Sequence, residues 1–281
     1  MKQRAYAKIN LSLDVFAVRE DGYHDIRSII VPISLFDELE LDIADKDSYS
    51  CNRRNIVYNE NNSIVKMIKA FQDMTGIVSS YAVRLHKCVP IKAGLGGGTA
   101  DGAAALKLLQ KLHHVSLNEQ QIIELCLKVG ADVPFNYFNV PAIVEGIGEK
   151  ITPIAMKKNY FVLLMKPYTG ISTAEAYRKL DMESCDHPDI GKLKKALETG
   201  GSISGLLGNS LEQPSLLLNK DIARIKDLMK SRGGRDVLMS GSGSSVFTIS
   251  EDRRLIMAMY DTLKDSGHYV RFVKTLNKKI L

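Results

Sequence analysis

The stretch "PIKAGLGGGTADGAAALKLLQKL" (residues 90–112) carries four glycines within five positions, and a helix-forming run follows at once. Gly94, Gly96, Gly97 and Gly98 have no side chains to pack. What they supply is positive φ and room for another group to come close to the backbone. The run from Thr99 to Leu112 predicts a helix whose first N–H groups lack intrahelical partners and point back into the loop. Upstream, "YAVRLHK" (81–87) alternates as a strand and feeds the loop. A strand, a glycine loop and a helix N-terminus in that order make a cradle of amides at the positive end of a helix dipole, suited to phosphate. An ordinary glycine-rich turn is the competing reading. No Gly-Lys-Ser/Thr closes the loop, so it is not a Walker A motif, and G-x-G-x-x-G is absent.

Outward from the loop, the pattern alternates strands and helices. "YAKINLSLDVFAV" (6–18) sets Ile9, Leu11, Leu13, Val15 and Ala17 on one face and Lys8, Asn10 and Ser12 on the other, as in a half-buried strand. "SIIVPISLFDELELDI" (28–43) reads as strands broken near Pro32 and Asp37. "NSIVKMIKAFQDMTG" (62–76) is a helix stopped by Gly76, and "NEQQIIELCLKVG" (118–130) one with Asn118 as N-cap and Gly130 as its end. After Pro153 the pattern restarts. "YFVLLMKP" (160–167) is apolar throughout, a central strand. Helices near 173–180, 190–198 and 221–231, strands at 236–239 and 245–249, a helix at 252–265 and a strand at 269–275 follow. Without its extra helices this half runs β-α-β-β-α-β, the ferredoxin-like order. The expectation is an α+β chain of two domains, 1–153 and 154–281.

Composition narrows the class. The 281 residues are 45% hydrophobic and 25% charged, ordinary for a globular chain with a sizeable core. The net charge of +6 suits an anionic small molecule as well as it suits nucleic acid, but no run of Lys or Arg marks a nucleic-acid site. Cys51, Cys88, Cys126 and Cys185 are scattered, and the six histidines show no metal-ligand spacing, so no metal site is expected. The first residues lack a signal-type apolar region, and no apolar run reaches membrane-spanning length. The expectation is a cytoplasmic protein without membrane or nucleic-acid partners.

Three further features have two readings each. "GADVPF" (130–135) sets Asp132 after a helix end, with Pro134 barring continuation; the aspartate caps a turn or does chemistry. Lys8, mid-strand beside Asn10, is solvated or functional. "MSGSGSSVF" (239–247) lies between two strands, as a hairpin turn or a second ligand loop.

Three motifs, in order along the chain, resemble those of the GHMP kinases: "YAKINLSLDV" (6–15), "PIKAGLGGGTAD" (90–101) and "MSGSGSSVF". "AKINL", "DGYHDI" (21–26), "GADVPF", "EGIGEKITP" (145–153) and "ISTAEAY" (171–177) are most similar to the branch of that family acting on a cytidine diphosphate ester of methylerythritol. The resemblance implies a two-domain fold. Its first domain is like domain 2 of ribosomal protein S5, with a left-handed crossover, and its second is ferredoxin-like. It implies that Pro90, Ile91, Lys92, Ala93, Gly94, Leu95, Gly96, Gly97, Gly98, Thr99 and Ala100 hold the phosphates of ATP, with Asn62 and Lys87 lining the adenosine pocket. Lys8 and Asp132 match the catalytic pair. Asn10, Tyr23, His24, Thr173, Tyr177, Gly241 and Ser242 match the groups that bind the substrate, Tyr177 as the ring stacked on cytosine. For His24 the competing reading is a loop histidine paired with Asp21 or Asp25. Gly102 stands where alanine is commoner, which weakens the first helical turn slightly.

The reaction implied is transfer of the γ-phosphoryl of ATP to a crowded tertiary hydroxyl. Asp132 would accept the hydroxyl proton, and Lys8 would stabilise the nascent alkoxide and neutralise the transferring group. Mg²⁺ would accompany ATP; Thr99 is the nearest hydroxyl for it, and no acidic ligand is evident. A monomer or weak homodimer is expected. The rivals are a kinase of the homoserine or mevalonate type and a non-catalytic phosphate- or RNA-binding protein.

Overall fold

The computed structural model describes residues 1–277. The elements run β1 (Lys2–Val18), β2 (His24–Ala44), β3 (Ser48–Cys51), α1 (Ser63–Thr75), β4 (Ser80–His86), α2 (Gly97–Leu112), α3 (Glu119–Val129), α4 (Val133–Phe138), β5 (Ala142–Gly146) and β6 (Lys150–Pro153). They continue with β7 (Phe161–Lys166), α5 (Thr173–Arg178), α6 (Ile190–Thr199), β8 (Gly208–Asn209), α7 (Glu212–Leu218), α8 (Lys220–Ser231), β9 (Val237–Met239), β10 (Val246–Ser250), α9 (Arg253–Leu263) and β11 (Tyr269–Lys274). No helix among the described residues is long and apolar enough to cross a membrane.

Two compact units form. One comprises Met1–Ala7, Leu35–Pro90 and Gly96–Asn139; the other comprises Lys8–Ser34, Ile91–Leu95 and the chain from Val140 onward. The units alternate along the sequence, where the sequence reading expects one boundary at residue 153. The reason lies in β1 and β2, strands of 17 and 21 residues that each contribute to both units.

In the first unit, β4 pairs antiparallel with the Glu38–Ala44 part of β2 and parallel with β3. Met1 and Leu41 exchange backbone bonds of 3.0 Å, which fixes the start of β1 beside β2. Helices cover this sheet. The buried face of α1 is Ile64, Met67, Ile68, Ala70 and Phe71, at the spacing that puts them on one side. Asn62 caps the helix by accepting from Ile64 N at 2.9 Å, and Gly76 ends it at φ 72. Helix α3 starts in a capping box, with Asn118 and Gln121 bonding reciprocally. Buried alanines and leucines line most of α2, so it is an interior helix of one core with β2, β4, α1 and α3. Fully burying a side chain such as Phe71 contributes roughly 1.5–3 kcal/mol.

In the second unit, the Ile26–Ile30 part of β2 pairs with β5, which pairs with β6; β8 joins β1 at Ser12 and Leu13. A separate antiparallel sheet has the order β11-β7-β10-β9. Its four strands, with α8 between β7 and β9 and α9 between β10 and β11, realise the β-α-β-β-α-β order, and the apolar β7 lies centrally. Its core holds Leu163, Met165, Ile222, Ile225, Met239, Val246, Ile256 and Met259.

The expected breaks at Pro32 and Asp37 do not occur, because β2 runs unbroken through both. Pro32 lies between the β5 and β4 registers, where its missing N–H costs no ladder bond on that side, and its carbonyl accepts from Leu276 N at 2.9 Å. Asp37 is buried with partners described below. Pro134 likewise does not simply bar a helix. It occupies the first turn of the short helix α4, where a missing N–H is harmless.

Candidate active site

The first unit carries the helix half of the phosphate loop. Gly96 stands at the N-cap of α2 with φ 67, and Ala100 N bonds Gly96 O at 2.9 Å as the first closed turn. The amides of Gly97, Gly98 and Thr99 lie ahead of that turn, where the helix offers them no acceptor, and they form the positive end. Thr99 Oγ1 donates to Gly96 O at 2.9 Å and accepts from Asn136 Nδ2 at 2.8 Å. Helix α4 therefore braces the first turn of α2 through Asn136, a residue that sequence reasoning missed. Its signal was its place in the same short segment as "GADVPF".

Asp132 occupies the N-cap position of α4 in a helical conformation, and its side chain makes no capping bond there. Asn62 is committed to α1: Oδ1 caps the helix and Nδ2 donates to Val57 O at 3.1 Å. The start of α1 lies beside that of α2, since a Cβ on Gly98 would come 3.7 Å from Ser63 Oγ. Lys87 is 4% exposed, and its ammonium bonds Asp37 Oδ2 at 2.5 Å and Asp101 Oδ2 at 2.7 Å. Burial works against the charged ammonium, but the two carboxylates together outweigh it and hold the lysine pKa above its ordinary value. Burial pushes Asp101 up to about 8; the attraction of Lys87 opposes this and the repulsion of Asp37 adds to it.

The second unit carries Lys8, Asn10 and the loop segment Ile91–Leu95. Lys8 is not solvated: its side chain is 4% exposed, with Nζ donating to Asn10 Oδ1 at 2.8 Å. Asn10 in turn donates to Ser28 Oγ at 2.9 Å, and Ser28 to Ser12 O at 2.5 Å. The face of β1 read as solvent-facing is thus a buried polar row. The loop segment Ile91–Leu95 is held from two sides. Leu95 O accepts from Lys8 N at 3.0 Å, and Ala93 O accepts from Ser245 N at 3.1 Å.

The second glycine cluster does connect hairpin strands β9 and β10, as the bland reading had it. It also grips the first loop. Ser240 Oγ donates to Gly94 O at 2.9 Å and accepts from Asn10 N at 3.3 Å. At Gly94, φ is +71 and a Cβ would come 2.0 Å from Ser240 O, so no side chain fits there. Asn209 Nδ2 donates to Met239 O at 2.9 Å and to Gly241 O at 2.8 Å, fixing the cluster's near edge. Neither Ser240 nor Asn209 had been singled out, since both bond backbone far away in sequence.

Four expected substrate groups meet in two pairs within the same unit. The rings of His24 and Tyr177 lie 4.8 Å apart at 44°, and Thr173 Oγ1 and Ser242 Oγ are 2.8 Å apart. The competing pairing of His24 with Asp21 or Asp25 does not arise from those carboxylates, which face Arg19. Tyr23 is exposed.

The chain matches two family models, the GHMP kinases N terminal domain over residues 62–146 and the GHMP kinases C terminal over residues 182–268. A protein of Clostridium kluyveri named "4-diphosphocytidyl-2-C-methyl-D-erythritol kinase" is 36% identical over 277 residues, 97% of this chain and 99% of that protein. A crystal structure of 4-(cytidine 5'-diphospho)-2C-methyl-D-erythritol kinase superposes with a TM-score of 0.84 at 28% identity, over 99% of this chain and 100% of the other. A homoserine kinase from Cytophaga hutchinsonii superposes with a TM-score of 0.75 at 16% identity, over 99% and 95%, a likeness of fold alone.

Proposed function

We propose a specific reaction on the premise that the chain belongs to the 4-diphosphocytidyl-2-C-methyl-D-erythritol kinase family of the GHMP kinases. The chain transfers the γ-phosphoryl of ATP to the 2-hydroxyl of 4-diphosphocytidyl-2-C-methyl-D-erythritol. The products are the 2-phosphate and ADP, in the non-mevalonate route to isoprenoid precursors. The observation that carries this reading is similarity to a kinase of that name over nearly the whole of both chains. It acts on small molecules in the cytoplasm, as a monomer or weak homodimer.

The residue roles follow from the family motifs. The free amides at the start of α2, with the backbone of Pro90–Leu95, take the phosphates of ATP, and Asn62 and Lys87 flank the adenosine. Because the Asn62 side chain caps α1 and the Lys87 ammonium is buried in ion pairs, these two contribute chiefly by holding the backbone that meets the nucleoside. Asp132 takes the proton of the attacking hydroxyl as general base. Lys8 stabilises the alkoxide as it forms and offsets negative charge on the moving phosphoryl. A loose phosphoryl transition state leaves alignment and charge neutralisation as the main work, which suits a site of fixed amides. His24 and Tyr177 take the cytosine. Asn10, Tyr23, Thr173, Gly241 and Ser242 position the rest of the substrate.

Mg²⁺ belongs with ATP, where it neutralises phosphate charge. No group of three or more His, Cys, Asp or Glu side chains among the described residues could hold a metal ion. With ATP bound, the ion would be held chiefly by phosphate oxygens and water. Thr99 Oγ1, with one lone pair beyond its bonds to Gly96 and Asn136, would be the nearest protein hydroxyl to such an ion, directly or through water.

A coupled assay of ADP release, with Mg-ATP and each of 4-diphosphocytidyl-2-C-methyl-D-erythritol, homoserine and mevalonate as acceptor, tests the reading. Turnover is expected with the first alone. Faster turnover with either of the others would overturn it.

A further inference from the structure

Asp37, in the middle of β2, belongs to none of the motifs, yet it is fully buried and both its oxygens are committed. Oδ1 accepts from the backbone N–H groups of Cys88 at 2.6 Å and Val89 at 2.8 Å, while Oδ2 meets the Lys87 ammonium at 2.5 Å. Those three donors are the last residues before Pro90, where the phosphate loop begins. From the same ammonium a second bond reaches Asp101, in the second turn of α2. Between the two lies Val89, whose side chain underlies Gly97: a Cβ there would come 2.8 Å from Val89 Cγ1 and 3.3 Å from Lys87 Nζ. Asn52 adds a further tie, accepting from Lys87 N at 2.8 Å and donating to Lys87 O at 3.2 Å.

We propose that Asp37 is a positioning residue for ATP: it fixes the exit of β4 against the first turn of α2 and so sets the spacing of the amides that receive the phosphates. A carboxylate suits this place for a physical reason. Its two oxygens satisfy two backbone donors and one buried cation at once, and charge-assisted bonds of this kind are short and directional. Without Asp37, the Cys88 and Val89 amides would lose a buried acceptor, and Lys87 would swing toward Asp101 alone. A site of preformed amides tolerates little displacement, since its advantage over water lies in needing no rearrangement.

This inference rests on the reading that the loop binds ATP, so binding and turnover are measured separately. Titration calorimetry with AMP-PNP and Mg²⁺ reads nucleotide affinity without the reaction, and the ADP-release assay reads the KM of each substrate. For Asp37→Asn, the AMP-PNP Kd and the KM for ATP are expected to rise roughly 10- to 100-fold, as when supporting partners of a site are removed. The KM for the alcohol substrate should stay within about threefold. Phe71→Leu, a core change in α1, serves as the control for lost stability and should leave the AMP-PNP Kd unchanged. If Asp37→Asn does not fold, the double variant Asp37→Asn/Lys87→Met removes both charges of the buried pair together, and it should raise the same Kd. An Asp37→Asn variant, or failing that the double variant, with wild-type AMP-PNP affinity overturns the proposal; so does an equal rise in Phe71→Leu. Failure of the wild-type chain to bind AMP-PNP would overturn the ATP reading itself, and the proposal with it.

Discussion

At the scale of single residues, Asp132 and Lys8 carry the sharpest kinetic expectations. Asparagine at 132 keeps the shape of the side chain but cannot take a proton. Asp132→Asn should lower kcat by about two to four orders of magnitude with AMP-PNP binding retained. Near-normal turnover would remove it from the role of base. Lys8→Met should likewise depress kcat more than it raises KM; a change confined to KM would make Lys8 a binding residue. Asp101 gives a different kind of prediction. With its folded value pushed up to about 8, chiefly by burial, it keeps a proton that the unfolded chain releases near pH 4. Between those limits the folded state binds more protons than the unfolded state, so this group's contribution to stability declines as pH rises through that window. Asp101→Asn mimics the protonated acid and does not titrate. Its unfolding midpoint should therefore gain on wild type as pH is raised from about 5 to 8, with the gap levelling off above 8. Thermal melts across that range check it, and a gap that does not vary with pH would show that Asp101 is charged in the folded protein.

At the scale of elements, the loop leading into α2 is a close fit whose tolerance can be measured. Gly94 and Gly205 have nearly the same positive φ, +71 and +74, but a Cβ on Gly94 meets Ser240 O whereas one on Gly205 meets nothing within 4 Å. Both alanine variants should lose about 1–2 kcal/mol to the left-handed conformation. Only Gly94→Ala should lose more than that, together with AMP-PNP binding, in urea unfolding and calorimetry. Equal losses in the two would mean that the contact with Ser240 yields easily. The elements themselves were largely legible in the sequence. The helix at 63–75 announced its period and its end, that at 119–129 its cap and its end, and that at 220–231 its place, and the order of the last four strands came through despite the helices inserted among them. What escaped was whatever distant partners decide. Lys8, Asn10 and Ser12 alternate like a solvent face but are buried against Ser28 and Ser240, because their partners lie up to 230 positions away in sequence. Asp37 looked like a strand break for the same reason: nothing local shows that residues 87–89 supply its three donors. The two-residue β8 has too little pattern to be seen at all. Of the candidate site, the glycines, Lys8 and Asp132 could be named from motifs, while Asn136, Ser240 and Asn209 required the fold.

At the scale of the whole molecule, specificity for a cytidine ester can be separated from simple attraction to anions. The net charge of +6 is spread along the chain and favours any phosphate-bearing ligand. Raising salt from 0.05 to 0.3 M should weaken CDP and UDP alike, since screening does not distinguish bases. Cytosine differs from uracil by presenting an amino donor where uracil presents a carbonyl. A site built for one should leave a buried acceptor unpaired against the other, at a cost of about 1–3 kcal/mol. Binding raises the unfolding free energy by RT ln(1 + [L]/Kd), about 2.7 kcal/mol at a concentration of one hundred Kd. In a thermal-shift series at fixed ligand concentration, CDP should therefore raise Tm clearly more than UDP. AMP-PNP with Mg²⁺ should add a further shift on top of CDP, whereas homoserine and mevalonate should give none. The increment from AMP-PNP should also survive when CDP is saturating, because the roles proposed above give the two ligands different residues. Equal shifts from CDP and UDP would leave His24 and Tyr177 without the role assigned to them. Competition between AMP-PNP and CDP would mean that one anion site serves both, and the division of the chain's glycine loops between two substrates would fail.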